Sequence, residues 1–180
     1  ESLGLREVAS PTGNGAPASP LLRRPWHLRA MRDACLHDDL RIEVRRLLNE
    51  HGASQLPVGT LCEGTEPFFV DESANIFPGV VLDFSSGPIW IDAEATIRPG
   101  AVLTGPCYVG EHSHVLDRAV IRAGTSIGPW CKVAGEVGGT TFQGFSNKAH
   151  DGYIGDSYVG EWVNLGAGTT GSNLLNTYGE

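Results

Sequence analysis

The chain has 180 residues, the size of one domain or of one domain with an appendage. Apolar residues make up 41%, which supports a packed core and excludes wholesale disorder. Thirteen Lys and Arg against 21 Asp and Glu leave a net charge of −8, which argues against wrapping nucleic acid, because phosphate binding needs clustered cations. No apolar run approaches the roughly 20 residues needed to span a bilayer. Glycine stands out at 24 residues, spread through the second half, where it predicts many tight turns rather than a linker.

Residues 1–24 contain the stretch SPTGNGAPASP, which has no periodicity and reads as linker or disorder. The opening ESLGLREVAS lacks the basic and apolar regions of a signal peptide and has no Met, so the chain is expected to be cut from something longer. Residues 25–66 form a helical arm and connection. Leu28, Met31, Cys35, Leu40, Val44, Leu47 and Leu48 have helical spacing and predict helix in two pieces. Pro25 suits a first turn, Asp38 or Asp39 would cap the second piece, and Gly52 would end it. Arg32, Arg41, Arg45 and Arg46 read as a solvated face.

From residue 67 to 180 the pattern changes. Ile91, Ile97, Leu103, Val109, Val115, Ile121, Ile127 and Val133 fall at strict six-residue spacing. Val70, Ile76 and Leu82 start the same register before an insertion near Ser85–Pro88 shifts it by three; Val159 and Leu165 resume it later. Four positions after each anchor lie Ala95, Ala101, Cys107, Ser113, Ala119, Thr125, Cys131 and Val137, all small. Period two means a strand and period 3.6 an amphipathic helix. Period six means one short strand plus one corner, a narrow coil filled in layers. Gly100, Gly110, Gly124 and Gly128 are expected at the turns.

Cys35, Cys62, Cys107 and Cys131 show no C-x-x-C spacing, so reduced thiols filling small core positions, in a reducing cytoplasm, are expected. Cys107 and Cys131 are four hexapeptides apart, hence on different sides of the coil and unbridged.

The repeat [Ile/Leu/Val]-Gly-x-x-[small]-x resembles that of the hexapeptide acyltransferases. The resemblance implies a mainly β fold, a single-stranded left-handed parallel β-helix with a short N-terminal α-helical segment. Three hexapeptides would make one triangular turn, stacking residues about 18 apart at the strand spacing of ~4.8 Å. After Val133 the period is lost, and residues 139–153 are expected to form an off-register loop facing a neighbouring chain. The pieces Asn-Lys-Ala-His, Trp-Val-Asn-Leu-Gly-Ala-Gly-Thr and Ser-Asn resemble a narrower group, the acetyltransferase domains of bifunctional enzymes that acetylate glucosamine-1-phosphate and couple the product to UTP.

On that resemblance, Ser146 to Gly155 matches the family string that ends in the catalytic histidine and the sugar-phosphate tyrosine, so His150 would be the base and Tyr153 would contact the acceptor. Asn164 would bind the acceptor sugar, the backbone N–H of Ala167 would face the reacting carbonyl, and Asn173 would precede the acceptor-site turn. Gly166 and Gly168 would let the backbone come close. The phosphate-binding Arg and Lys are not matched one for one; Arg98, Arg122, Lys132 and Lys148 are the candidates, with Arg122 and Lys148 carried forward and Arg98 too many turns from His150. Acetyl-CoA is the implied donor, a small amino-sugar phosphate the acceptor, and a homotrimer the implied assembly. The family carries further donor-binding turns beyond the Gly-Ala-Gly, so acetyl-CoA is expected to bind weakly here. RPWHL resembles the tail of the nucleotidyltransferase half, whose glycine-rich, lysine-containing loop has no match.

The chemistry suits these roles. Amine acetylation needs a base, and histidine as a type titrates near pH 6.5. It also needs a donor at the developing oxyanion, such as a fixed backbone N–H. His112 and His114 with His150 could be imagined as a zinc set, but the acyltransferase match accounts for His150 and the pair reads as surface. No metal or membrane partner is expected. The alternative to an enzyme is a non-catalytic β-helix that trimerises or regulates a nucleotidyltransferase.

Overall fold

A computed structural model describes residues 26–171. It shows one helix followed by a parallel β-solenoid of about six turns, with one strand on each of three sides per turn. The first sheet stacks Leu61–Gly64, Val81–Phe84, Val102–Thr104, Val120–Ile121, Glu136–Gly138 and Tyr153–Gly155. The second stacks Phe68–Val70, Ile89–Ile91, Cys107–Val109, Thr125–Ile127, Thr141–Phe142 and Tyr158–Val159. The third stacks Asn75–Ile76, Thr96–Ile97, His114–Val115, Lys132–Val133 and Asn147–Lys148. The coil therefore begins at Leu61, six residues before the expected boundary, because that strand pairs residue by residue with Val81–Phe84.

The period-six anchors are the inward column of each sheet. Leu82, Leu103 and Ile121 stack on one side, Ile91, Val109 and Ile127 on the next, and Ile97, Val115 and Val133 on the third. All are buried, and so are the eight small residues between them. The small positions matter at the corners. The Ser113 hydroxyl donates to the Gly128 carbonyl at 2.7 Å and accepts from the Cys131 N–H at 2.8 Å, fastening two turns from inside. Ser146 repeats the device, donating to the Gly160 carbonyl at 2.6 Å and accepting from the Val163 N–H at 3.3 Å. Gly100 and Gly124 have positive φ, as turn glycines should. Gly128 serves another need: a β-carbon there would run into the Gln143 carbonyl of the next turn, so only glycine lets the backbones stack.

The lost period after Val133 does not mark a loop. Residues 139–153 are coil wall: Phe142 pairs with Ile127, Lys148 with Val133, and Ile154 with Val137. The expected off-register loop is therefore absent. The turn from Val133 to Lys148 has 15 residues where Val115 to Val133 has 18. The shortening lies mostly at one corner. Val133 and Val137 are four positions apart, where Val115 and Ile121 are six. Val137 thereby becomes an inward anchor rather than a small spacer.

The helix also departs from expectation. It runs unbroken from Trp26 to His51, with Asp38 and Asp39 inside it and not capping. Pro25 lies outside the described residues. Gly52 does end it, at φ +83°, with its N–H donating to the Leu48 carbonyl at 2.9 Å. Val44 and Leu47 pack on Phe69, with Trp90 beside them, so the helix lies along the second sheet. Leu28 and Cys35 are exposed, whereas Leu40, Val44 and Leu47 further along the stripe are buried. Of the four free thiols, Cys107 and Cys131 fill core positions as expected, whereas Cys35 and Cys62 are exposed.

Burial pushes the Cys107 thiol up to about 12 from an ordinary value near 9. A raised acid stabilises the fold below its unfolded value and gives that up as pH climbs towards the folded value. Stability should therefore fall between pH 9 and 12, by up to about 1.4 kcal/mol per pH unit for this group. Cys131 and Tyr108 are raised by burial too and act in the same direction. The comparison that isolates the thiol is urea unfolding of the wild type and Cys107→Ala at pH 8 and 10.5. The stability gap between them should narrow at the higher pH; an unchanged gap counts against this account.

Candidate functional site

His150, Tyr153, Asn164 and Ala167 lie late in the coil, around the corner where the third sheet passes into the first, whereas Arg122 lies two turns earlier, where the first sheet passes into the second. His150 is exposed on that corner, between Asn147–Lys148 and Tyr153–Gly155. Ala167 is on the same corner one turn later, 17 positions on, which is why two residues so far apart meet. The turns are tied there by the Gly168 N–H, which donates to the Asp151 carbonyl at 3.3 Å. Gly168 has φ +73° and lets the chain double back.

Tyr153 opens the last strand of the first sheet, on one side of the corner. It shares a cavity of about 310 Å³ with Arg122. Gly155 makes room for the ring, since a β-carbon there would strike the Tyr153 hydroxyl. The Arg122 guanidinium donates to Glu136 at 2.5 Å and remains largely solvated. Arg32 and Asp33 of the helix, together with Gly139 and Asp156, complete the cavity. Cations and carboxylates alternate here, an environment that suits a polyhydroxylated ligand carrying one anionic group.

Arg32 overturns the expectation of a solvated arginine face. Its side chain is 12% exposed and donates to the Gly139 carbonyl and to Asp156 at 3.0 Å, while Arg29 reaches the other Asp156 oxygen at 3.1 Å. Gly139, at φ +53°, leaves the space that the guanidinium fills. No periodicity could have revealed this, because the partners are more than 100 residues away. Arg46, by contrast, pairs with Glu43 and Glu50 along the exposed side of the helix.

Asn164 lies on the other side of the corner, at the end of the third sheet. Its side-chain oxygen accepts from the Asn147 amide at 2.7 Å, and the two residues form a bridge. Asn147 was not singled out from the sequence, although it sits within the quoted Asn-Lys-Ala-His string. The same face carries a second cavity of about 390 Å³, lined by Glu94, Thr96, His112, His114, Trp130 and Lys132. Partial burial, then the Lys132 and Arg98 charges, hold His114 below the ordinary histidine value. His112 contacts Glu94 at 3.1 Å and stacks on Trp130, at the corner where the second sheet passes into the third and two turns before His150. Arg98 pairs with Asp117, in earlier turns.

Lys148 is not on the surface. It occupies the inward position above Val133, is 1% exposed, and donates to the carbonyls of Ala134 at 2.7 Å and His150 at 3.0 Å. Burial lowers its pKa from the ordinary lysine value, with Asp151 pulling weakly the other way. An ammonium enclosed in this way does not present itself to a phosphate outside the coil. Asn173 lies outside the described residues.

No protein-family model matches the chain. Three curated proteins named bifunctional protein GlmU are similar to part of it. That of Gloeobacter violaceus is 41% identical over 63 residues, 34% of this chain and 14% of the relative. That of Rippkaea orientalis is 39% identical over 67 residues, 37% of this chain and 14% of the relative. That of Exiguobacterium sibiricum is 39% identical over 69 residues, 38% and 14% respectively. The coil and these matches fit a GlmU-like hexapeptide-repeat domain. The matched stretch spans about a seventh of the length of the curated GlmU relatives. Among the described residues no helix is long and apolar enough to cross a membrane.

Arg32→Ala tests how firmly the helix closes the cavity. Losing charge-assisted bonds to Gly139 and Asp156 should cost about 1–3 kcal/mol. The urea midpoint should fall, and amide exchange should quicken around Arg32 before it does in the coil. An unchanged midpoint would mean that solvent satisfies these groups equally well.

Proposed function

We propose that the chain is a GlmU-like acetyltransferase module that moves an acetyl group from acetyl-CoA to the amine of glucosamine-1-phosphate, on the route to UDP-N-acetylglucosamine. The observation that carries this reading is the meeting of exposed His150 and Ala167 on one corner in successive turns, with Tyr153 leading from that corner to a cavity that holds Arg122 at the next. His150 takes the proton of the attacking amine and returns it to the CoA sulfur as the tetrahedral adduct collapses, so that the C–N bond forms, the C–S bond breaks and the thiol leaves. The backbone N–H of Ala167 stabilises the oxyanion as the thioester carbonyl becomes tetrahedral, a role worth about 3–4 kcal/mol in comparable sites. Arg122 binds the phosphate, Tyr153 the sugar, and Asp33 and Asp156 accept from its hydroxyls. Asn164 faces the other side of the corner, so a neighbouring coil in a homotrimer would complete the acceptor site. Acetyl-CoA is the donor, and free thiols suit a cytoplasmic setting.

A second reading has its own support. His112 stacks on Trp130 at 4.1 Å and Phe145 on Trp162 at 4.8 Å, a ridge of largely exposed rings along another corner. Such a surface favours a β-helix that serves association with no chemistry of its own.

Turnover of acetyl-CoA with glucosamine-1-phosphate separates the two. Under the first reading, His150→Ala should lower kcat about 10²–10⁴-fold, the contribution typical of one base. Arg122→Ala should mainly raise KM for the acceptor, because a phosphate contact serves ground and transition states alike. A His150→Ala variant retaining a third of wild-type kcat would remove the histidine from the chemistry. Absence of turnover in a trimer seen by light scattering would support the second reading.

A further inference from the structure

We infer that Lys148 is a positioning residue: from inside the coil its side chain ties the His150 carbonyl to the Ala134 carbonyl and so fixes the corner that carries the imidazole. This rests on the reading of His150 as the base.

The argument starts from the inward column of the third sheet. Ile76, Ile97, Val115 and Val133 fill it in turn, then Lys148. Leu165 follows, its N–H donating to the Asn147 carbonyl at 2.8 Å. An aliphatic side chain at 148 would continue this column and bury apolar surface. A lysine there loses the hydration of its amine, so its head group must be justified by its bonds.

Those bonds go to two successive corners of unequal length. At Ala134–Glu136 the corner is cut short by two residues, and at Ala149–Tyr153 it regains full length. The longer corner therefore stacks on one that does not match it. The close approach is visible at Gly135, where a β-carbon would sit 2.9 Å from the Gly152 carbonyl. Carbonyls of mismatched corners fall out of the regular ladder and need other donors. Lys148 supplies them from within, reaching Ala134 on the short corner and His150 on the long one. It reaches the backbone of His150 and leaves the imidazole free at the surface. Side chains that act through locked backbones in this way hold catalytic groups within the fraction of an ångström that chemistry requires.

The chain has only two lysines, Lys132 and Lys148, which makes the test direct. Lys148→Met keeps the length and removes the donors; Lys148→Leu copies the next residue of the column. In either folded variant, amide exchange of His150, Asp151 and Gly152 should quicken at least tenfold relative to Ile121. The kcat for acetyl transfer should fall at least tenfold, with KM for glucosamine-1-phosphate within twofold. Unchanged corner exchange and unchanged kcat would show that Lys148 only fills space and would overturn the proposal. If both variants fail to fold, the wild-type chain labelled with ¹⁵N decides. It should give two side-chain amine signals, that of Lys148 slow to exchange and close in space to the His150–Asp151 backbone. A signal exchanging as fast as that of Lys132 overturns the tie. A wild type with no turnover but a protected corner would refute the acetyltransferase reading alone.

Discussion

The structure depends on one geometric condition: each turn of the coil must land one strand spacing above the last, with its inward side chains on those of the turn below. Parallel ladders enforce this, since a slip of one residue would turn every inward aliphatic to solvent. Among the described residues all strand pairing is between consecutive turns, so the condition is met locally and repeatedly. Insertions and deletions are admissible only at corners, where the chain can shed or gain residues without changing what the strands present. The three extra residues near Ser85–Pro88 and the three missing between Val133 and Lys148 are both absorbed in this way.

The helix obeys a related length condition. From Arg32 to Leu47 it rises about 22 Å at 1.5 Å per residue. From Phe69 in the first turn to Asp156 before the sixth, the coil rises about 24 Å at one strand spacing per turn. The helix is thus long enough to be anchored at both ends, by Val44 and Leu47 on Phe69 and by Arg32 on Asp156. Two short helices could not bridge that span as one rigid strut, which gives a physical sense to its continuity through Asp38 and Asp39.

How much of this the sequence made legible follows from the range of the forces involved. The coil was readable because every turn repeats one local demand, a large aliphatic followed four places on by a small residue. Ile91 to Val133 state that demand eight times. The wall after Val133 was not readable as wall. The demand there is met by unlike residues, Val137, Phe142, Lys148 and Ile154, at spacings of four to six. Period search fails when the column survives but the step changes. Lys148 misleads further, because a charged residue in a polar string reads as surface until the pairing with Val133 is seen. The resemblance assigned His150 and Ala167 to one reaction, but only the bridge between Asn147 and Asn164 shows that they stack on one corner. It offered no route to Arg32, whose role comes only from docking across the coil.

The irregular turn and the candidate site coincide, and the reason is mechanical. A regular turn satisfies its own backbone and presents a flat, self-sufficient wall with nothing left over for a ligand. Cutting the corner at Ala134–Glu136 breaks the wall beneath the His150 corner, so the longer turn overhangs and its carbonyls must be tied from inside. The neighbouring corner is modified as well: Gly138 and Gly139 carry no side chains, which leaves the space that Arg32 and Arg122 enter. Both changes are made on a scaffold whose preceding turns are held by continuous ladders and buried columns. Stiffness therefore comes from the repeats before it, and shape comes from the one turn that departs from them. A base placed on such a corner needs little reorganisation when substrate arrives, because the coil around it has already fixed its backbone.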